Sequence, residues 1–172
     1  MEETESALRI SWKRLIHDYV SGKLILKNEK DMEKSMAQIL EDVIARSDLA
    51  LEVKRQQSHR KRIVDLEIGN ALKHLLIQVK FYHDEADWKE TPTMMNTVES
   101  DLKFAKGHAD TYVAIIDTIP STTRAILPFK LAWKEVEIDE QIFNSVYSAI
   151  NPKTSPKRAR QQNTLLVRGD KL

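Results

Sequence analysis

A chain of 172 residues, 41% hydrophobic and 31% charged, suits one folded domain with a sizeable core and leaves little room for two. The lack of cysteine excludes disulfide scaffolds, thiolate zinc sites and cysteine nucleophiles, and no apolar run approaches the roughly 20 residues that span a bilayer. A net charge of +1 gives no global pull toward anionic partners, and the acidic start MEETES lacks the basic-then-apolar order of a signal peptide, so a cytoplasmic protein away from membranes is expected.

From Ser6 to about Val20, Leu8, Trp12, Leu15, Ile16 and Tyr19 recur at helical spacing, with Ser6 as the expected N-cap and Ser21-Gly22 as the stop. Leu24-Ile25-Leu26 is a short extended or turn segment. Asn28 then caps a second helix that runs to about Ala45, with Met32, Met36, Ile39, Leu40, Val43 and Ile44 on one face. At about 100° per residue, Glu29 and Glu33 share that apolar face while Asp31 and Glu41 point away. Acids at a helix start are favoured by the helix dipole or by an open rim; the other reading is an acid aimed at a site beyond the helix end.

Asp48 to about Gln56 alternates with strand period, and QQSHRK is the expected connection to a second strand over Arg62–Ile68. Gly69-Asn70 opens a short turn, and a third strand runs from about His74 to Tyr82. HDEADWKETP follows as a polar loop, and Thr91-Pro92 starts a third helix with Met95, Val98, Leu102 and Ala105 inward and Gly107 as its stop. Asp110 to Ile119 is the most apolar strand and is expected to be central and covered on both faces. Beyond Pro120, LPFKLAWKEVEI reads as an edge strand or irregular cover anchored by Trp133. Asp139 caps a last helix with Ile142, Phe143, Val146 and Ile150 inward. The division expected is one domain over residues 1–150, with its core over about 28–119 and a helix over 6–20, then a basic, mobile tail over 151–172. The fold class is α/β, a mixed sheet of a meander plus a further strand flanked by helices.

The second and third strands carry polar groups inside apolar runs. Gln78 and Lys80 share one face of their strand, and Asp65 shares a face with Ile63 and Glu67. If Gly69 pairs with His74, counting back along both strands sets Asp65 opposite Gln78, with Lys80 on the same face. An acid, an amide oxygen and an ammonium together suit magnesium, which takes hard oxygen ligands. Asp65, Gln78 and the carbonyl of Val79 would supply them, and Lys80 would polarise the attacking water during phosphodiester hydrolysis. Lys54, Arg55, Arg60, Lys61 and Arg62, clustered just before and within the second strand, are candidates for contact with a phosphate backbone. His59, His74, His83 and His108 have no metal-binding spacing and read as surface residues, and no glycine-rich phosphate loop is present.

Asp65 in RIVDLEI, a short hairpin, then Gln78-Val79-Lys80 in LLIQVKFY together resemble the PD-(D/E)xK nuclease superfamily, which includes restriction endonucleases and junction resolvases. The family core is a helix, a three-strand meander, a helix and a further strand, an order this chain shows from Asn28 to Ile119. The resemblance implies a restriction-endonuclease-like fold and a DNA endonuclease dependent on magnesium, with manganese as a substitute. A further acid on the first core helix is also implied, which Glu29 fits best and Glu33 next. It does not separate DNA from RNA, and cutting two strands would favour a homodimer. Val64 stands where the family often has proline, and Gln78 where it usually has glutamate. The second change removes one negative charge from the cation site. It therefore leaves two expectations: an active nuclease, or a nuclease-like fold without catalysis that serves as a nucleic-acid-binding or assembly module.

Overall fold

The computed structural model describes residues 2–82, 100–101, 103–117 and 163–171. Two helices open the chain, α1 (Glu2–Val20) and α2 (Glu29–Arg46). Five strands follow: β1 (Glu52–His59), β2 (Arg62–Gly69), β3 (His74–Tyr82), β4 (Thr111–Asp117) and β5 (Asn163–Arg168). They form one sheet in the order β1-β2-β3-β4-β5, antiparallel except between β3 and β4, which run parallel. The fold is therefore mixed α/β, as its periodicity predicts. Among the described residues, no helix is long and apolar enough to cross a membrane.

α1 starts four residues before the expected cap. Glu2, Glu3 and Glu5 fill its first turn, where the helix dipole favours acids, so Ser6 lies inside the helix. α2 starts as its sequence predicts: Asn28 Oδ1 accepts from the Asp31 amide at 2.9 Å, and Asp31 accepts from the Lys27 amide at 3.1 Å. The two helices pack Leu8, Trp12, Leu15, Met32, Met36 and Leu40 onto one face of the sheet, against Leu66, Ile68, Ile77, Val79, Tyr112 and Ala114. The other face is buried as well, by Val64, Leu76, Val113, Ile115 and Val167. Every residue from Thr111 to Ile116 is buried, which fits a strand covered on both sides.

Two expectations need correction. β1 begins later and runs further than 48–56, so QQSH belongs to the strand and the connection is only Arg60-Lys61. β1 is an edge strand with most of its residues exposed, and its polar composition imitates a loop. Arg60 and Lys61 have φ of 47° and 63°, the left-handed pair of a two-residue hairpin turn. The second correction concerns 151–172, expected to be a mobile tail. Its residues Asn163–Arg168 form β5, pairing antiparallel along the outer edge of β4 from Tyr112↔Arg168 to Asp117↔Asn163. The strand is short and its upstream neighbours are basic, which hides it, but the apolar β4 edge needs main-chain partners. Residues 100–101 and 103–105 are helical, and past them the Gly107 amide donates to the Gly169 carbonyl at 2.7 Å, tying the end of β5 to this segment. The loop HDEADWKETP, the start of the third helix at Thr91-Pro92, the stretch around Trp133 and the helix from Asp139 lie outside the described residues.

The β1–β2 ribbon folds back on itself. His59 pairs with Arg62, five residues along β2 from Glu67, a distance of roughly 16 Å in a straight strand. Yet His59 Nε2 lies 2.6 Å from Glu67 Oε2, and its ring centroid is 5.2 Å from that of His74. At the tip, Arg60 donates to Thr111 Oγ1 at 2.7 Å and stacks over Phe104 at 4.3 Å. The bend falls where the β1–β2 ladder skips one pair, Gln56 and Asp65, with Gln56 at φ 52°.

Gly69 pairs with His74, which confirms the register predicted from the turn. A methyl group at Gly69 would collide with the Lys73 carbonyl and the His74 Cα, which press against it in the turn. Gly69→Ala should therefore destabilise the protein by about 1–3 kcal/mol through overpacking. Urea unfolding would read this as a lower midpoint at unchanged slope.

Candidate active site

The β2–β3 ladder runs from Gly69↔His74 to Leu66↔Ile77 and then stops. Asp65 is thus the first residue of β2 without a main-chain partner on either side, since its β1 neighbour Gln56 is unpaired too. Side chains bridge the opening instead. Asp65 Oδ2 accepts from the Val79 amide at 2.7 Å, and Gln78 Nε2 donates to the Ile63 carbonyl at 3.3 Å. The polar residues inside two apolar runs are there because parted strands leave buried main-chain groups that need partners. Val79 meets Asp65 through its amide, and its carbonyl, the group expected as a ligand, leaves the strand on the same side.

Lys80 is 8% exposed and links the two sides of the opening. Its Nζ lies 3.2 Å from Glu29 Oε1 at the start of α2 and 2.9 Å from Asp101 Oδ2 in the helical segment before β4. Asp101, only 1% exposed, is also paired with Arg62, whose Nη1 donates to Ser100 Oγ at 2.6 Å. Glu33 is buried and turned toward β1, where Arg55 Nε reaches its Oε1 at 2.8 Å and Gln56 Nε2 its Oε2 at 2.9 Å. The same Gln56 amide lies 3.4 Å from Asp65 Oδ1. Asp65, Gln78, Lys80, Glu29 and Glu33 are therefore brought to one place.

The charges in this cluster are not balanced. Burial pushes the Asp65 carboxyl above its ordinary value; the Val79 amide and Lys80 oppose the shift, and the charge on Glu33 adds to it. Burial likewise raises Glu29; Lys80 opposes that, and Asp65 adds to it. Both acids are thus held in surroundings that resist their ionisation. Among the described residues, no three acid or histidine side chains converge as a metal site requires, because each is turned onto a cation or an amide donor. The donor set still suits a hard divalent cation. Its ligand atoms are oxygens, and the charge of a cation would offset the burial, and the smaller repulsion between acids, that raise Asp65 and Glu29.

The basic residues divide. Arg62 is an internal tie to Asp101, and Arg60 is held by Thr111, by Phe104 and by Asp110 at 3.8 Å. Arg55 is taken by Glu33, Lys54 pairs with Glu52 at 3.6 Å on the exposed edge, and Lys61 at the turn is exposed. Sequence reasoning missed Asp101 and Gln56. In the sequence Asp101 stands three residues after Val98 and four before Ala105, two positions expected to point inward, so an acid among expected core positions was the available signal. Gln56 had none, because its role follows from the ladder break and its backbone angle. His59 is no plain surface residue either, since it is partly buried against Glu67.

No family model, curated protein or solved structure matches this chain.

Two outcomes follow from these contacts. An acid with a raised folded pKa binds protons more tightly in the native state, so its ionisation removes stability as pH climbs above 3.8, the ordinary aspartate value. Asp65→Asn should therefore melt higher than the wild type at neutral pH, with the difference shrinking toward pH 4. Differential scanning calorimetry across that range checks the sign. Arg62→Leu leaves Asp101 with Lys80 alone and should destabilise the protein by up to about 3 kcal/mol, measured by urea unfolding. A DNA-contact role for Arg62 predicts no such loss.

Proposed function

We propose that this chain is a magnesium-dependent endonuclease of the PD-(D/E)xK, restriction-endonuclease-like class, hydrolysing DNA phosphodiester bonds at the opening between β2 and β3. One observation carries the reading: Asp65, Gln78 and Lys80 meet at a parting of the strands, with Glu29 3.2 Å from the Lys80 ammonium and Glu33 joined to Asp65 through Gln56. The element order accords with it, a helix, an antiparallel meander, a helical segment and then a parallel strand.

Asp65, with Glu29 and Glu33 beside it, offers carboxylate oxygens, and Gln78 an amide oxygen, to the cation. Magnesium or manganese, when bound, supplies Lewis-acid activation of a water and neutralises phosphate charge. Lys80 donates hydrogen bonds to the attacking water and to a phosphate oxygen; Asp101 holds its ammonium in place from behind. The Val79 amide fixes the Asp65 carboxylate in one orientation. The water oxygen bonds to phosphorus as the bond to the leaving oxygen breaks, and the proton the water gives up balances the one the departing alkoxide gains. Lys54 and Lys61, on the exposed ribbon, contact the nucleic-acid backbone; Arg55, Arg60 and Arg62 are already paired with groups of the protein itself. Two copies acting together would cut both strands. RNA carries the same phosphodiester, and its 2′-hydroxyl is the group that would discriminate.

A second reading, a nuclease-like fold that binds without cutting, is favoured by Gln78, which brings no negative charge to a cation and whose Nε2 serves as a tie to the Ile63 carbonyl. Plasmid cleavage with magnesium separates the two. Lys80→Met should lower the rate by about a hundredfold or more, with circular dichroism verifying the fold. Equal rates in wild type and variant would sink the catalytic assignment. Calorimetric titration with magnesium or manganese, with and without DNA, reads the other side: no heat from either metal leaves the binding module.

A further inference from the structure

Gln56 has three properties that do not belong to an ordinary edge-strand residue. Its backbone is left-handed, with φ 52°, a conformation uncommon for a residue other than glycine. It is left out of the β1–β2 ladder although the register on both sides, Arg55↔Leu66 and Gln57↔Val64, continues unbroken. Its side-chain amide lies between two acids from different elements, 2.9 Å from Glu33 Oε2 and 3.4 Å from Asp65 Oδ1. The left-handed turn of the main chain aims that amide inward while the residue as a whole stays exposed.

We propose that Gln56 is a clasp on the cation site: its amide group stands between Glu33 and Asp65 in place of a cation, and it must swing out before both acids can share one. The inference rests on the reading of this cluster as metal-binding. Two hydrogens on one nitrogen are what two facing carboxylates need when no cation is present, and each acid keeps a donor when the clasp leaves. Glu33 retains Arg55 at 2.8 Å, and Asp65 retains the Val79 amide at 2.7 Å. Because Gln56 is exposed, release requires no unpacking of the core. The clasp therefore competes with the metal, and the strength of its two hydrogen bonds sets how tightly the metal binds.

Replacements with opposite effects test this. Gln56→Met keeps an unbranched side chain at the left-handed position and removes both donors. Gln56→Lys puts a permanent cation between the acids. Thermal melting of the full chain, without and with manganese, gives the first readout, and calorimetric titration of manganese the second. Gln56→Met should melt lower than the wild type without metal, gain more from manganese and bind it about tenfold more tightly, since hydrogen bonds to charged groups are the strong ones. Gln56→Lys should melt no lower than the wild type without metal and gain nothing from manganese. A manganese effect seen only in Gln56→Met would support the clasp most directly.

If the wild type responds to manganese and Gln56→Met responds equally or less, the clasp is overturned and the metal reading of the site survives. If neither responds, both fall together. A purely structural role for Gln56 predicts two destabilised variants with unchanged responses to metal, which also overturns the proposal.

Discussion

Everything at the candidate site depends on one hydrogen bond, from the Val79 amide to the Asp65 carboxylate. A sheet this well covered would ordinarily carry its ladder to the strand ends, because a buried amide without a partner costs more than a hydrogen bond contributes. Asp65 takes over where the ladder stops, so β2 is free to leave β3 without stranding the Val79 amide. A neutral apolar residue at 65 would close the sheet or leave that amide bare. The carboxylate thus has a structural duty in addition to any chemical one, and its raised pKa records the conflict between burial and ionisation.

Lys80 marks the opposite side of that opening. An ammonium with 8% exposure is tolerated because Glu29 and Asp101 approach it from two separate elements, and Arg62 adds a second cation against Asp101. Paired buried charges of this kind are a weak source of net stability but a strong source of geometry: removing one partner strands another. The network fixes the start of α2, the helical residues before β4 and the β1–β2 ribbon relative to β3. Its members come from four parts of the chain.

The sequence was informative wherever a rule is local. Asn28 as a cap, the Gly69↔His74 register and the face shared by Gln78 and Lys80 each follow from a spacing of a few residues, and each holds in the structure. It was less informative where solvent or distant contacts decide. QQSH is too polar to announce an edge strand, and NTLLVR is too short and too near basic residues to announce β5. Arg60 and Arg62 have the composition of a backbone-binding patch, yet the fold-back of the ribbon turns them inward onto Thr111, Phe104 and Asp101. No local pattern encodes that bend, because it arises at a single skipped pair and is held by residues far away in the chain.

The folded-back ribbon has a consequence for when Lys80 and Arg62 gain their last partner. Arg60 reaches Thr111 across 51 positions, Arg62 reaches Ser100 across 38, and Lys80 reaches Glu29 across 51. Closing loops of this size is entropically slow compared with forming the hairpin itself, so the hairpin can exist long before it has anything to dock on. During synthesis, a ribosome-bound chain that has emerged only as far as β3 lacks Asp101, Phe104 and Thr111 and has no surface on which to fold the ribbon down. Asp65, Gln78, Lys80, Glu29 and Glu33 all lie in the part made by then, but Lys80 and Arg62 meet Asp101 only once the segment before β4 has followed, so an unfinished chain carries the site without the acid behind its lysine.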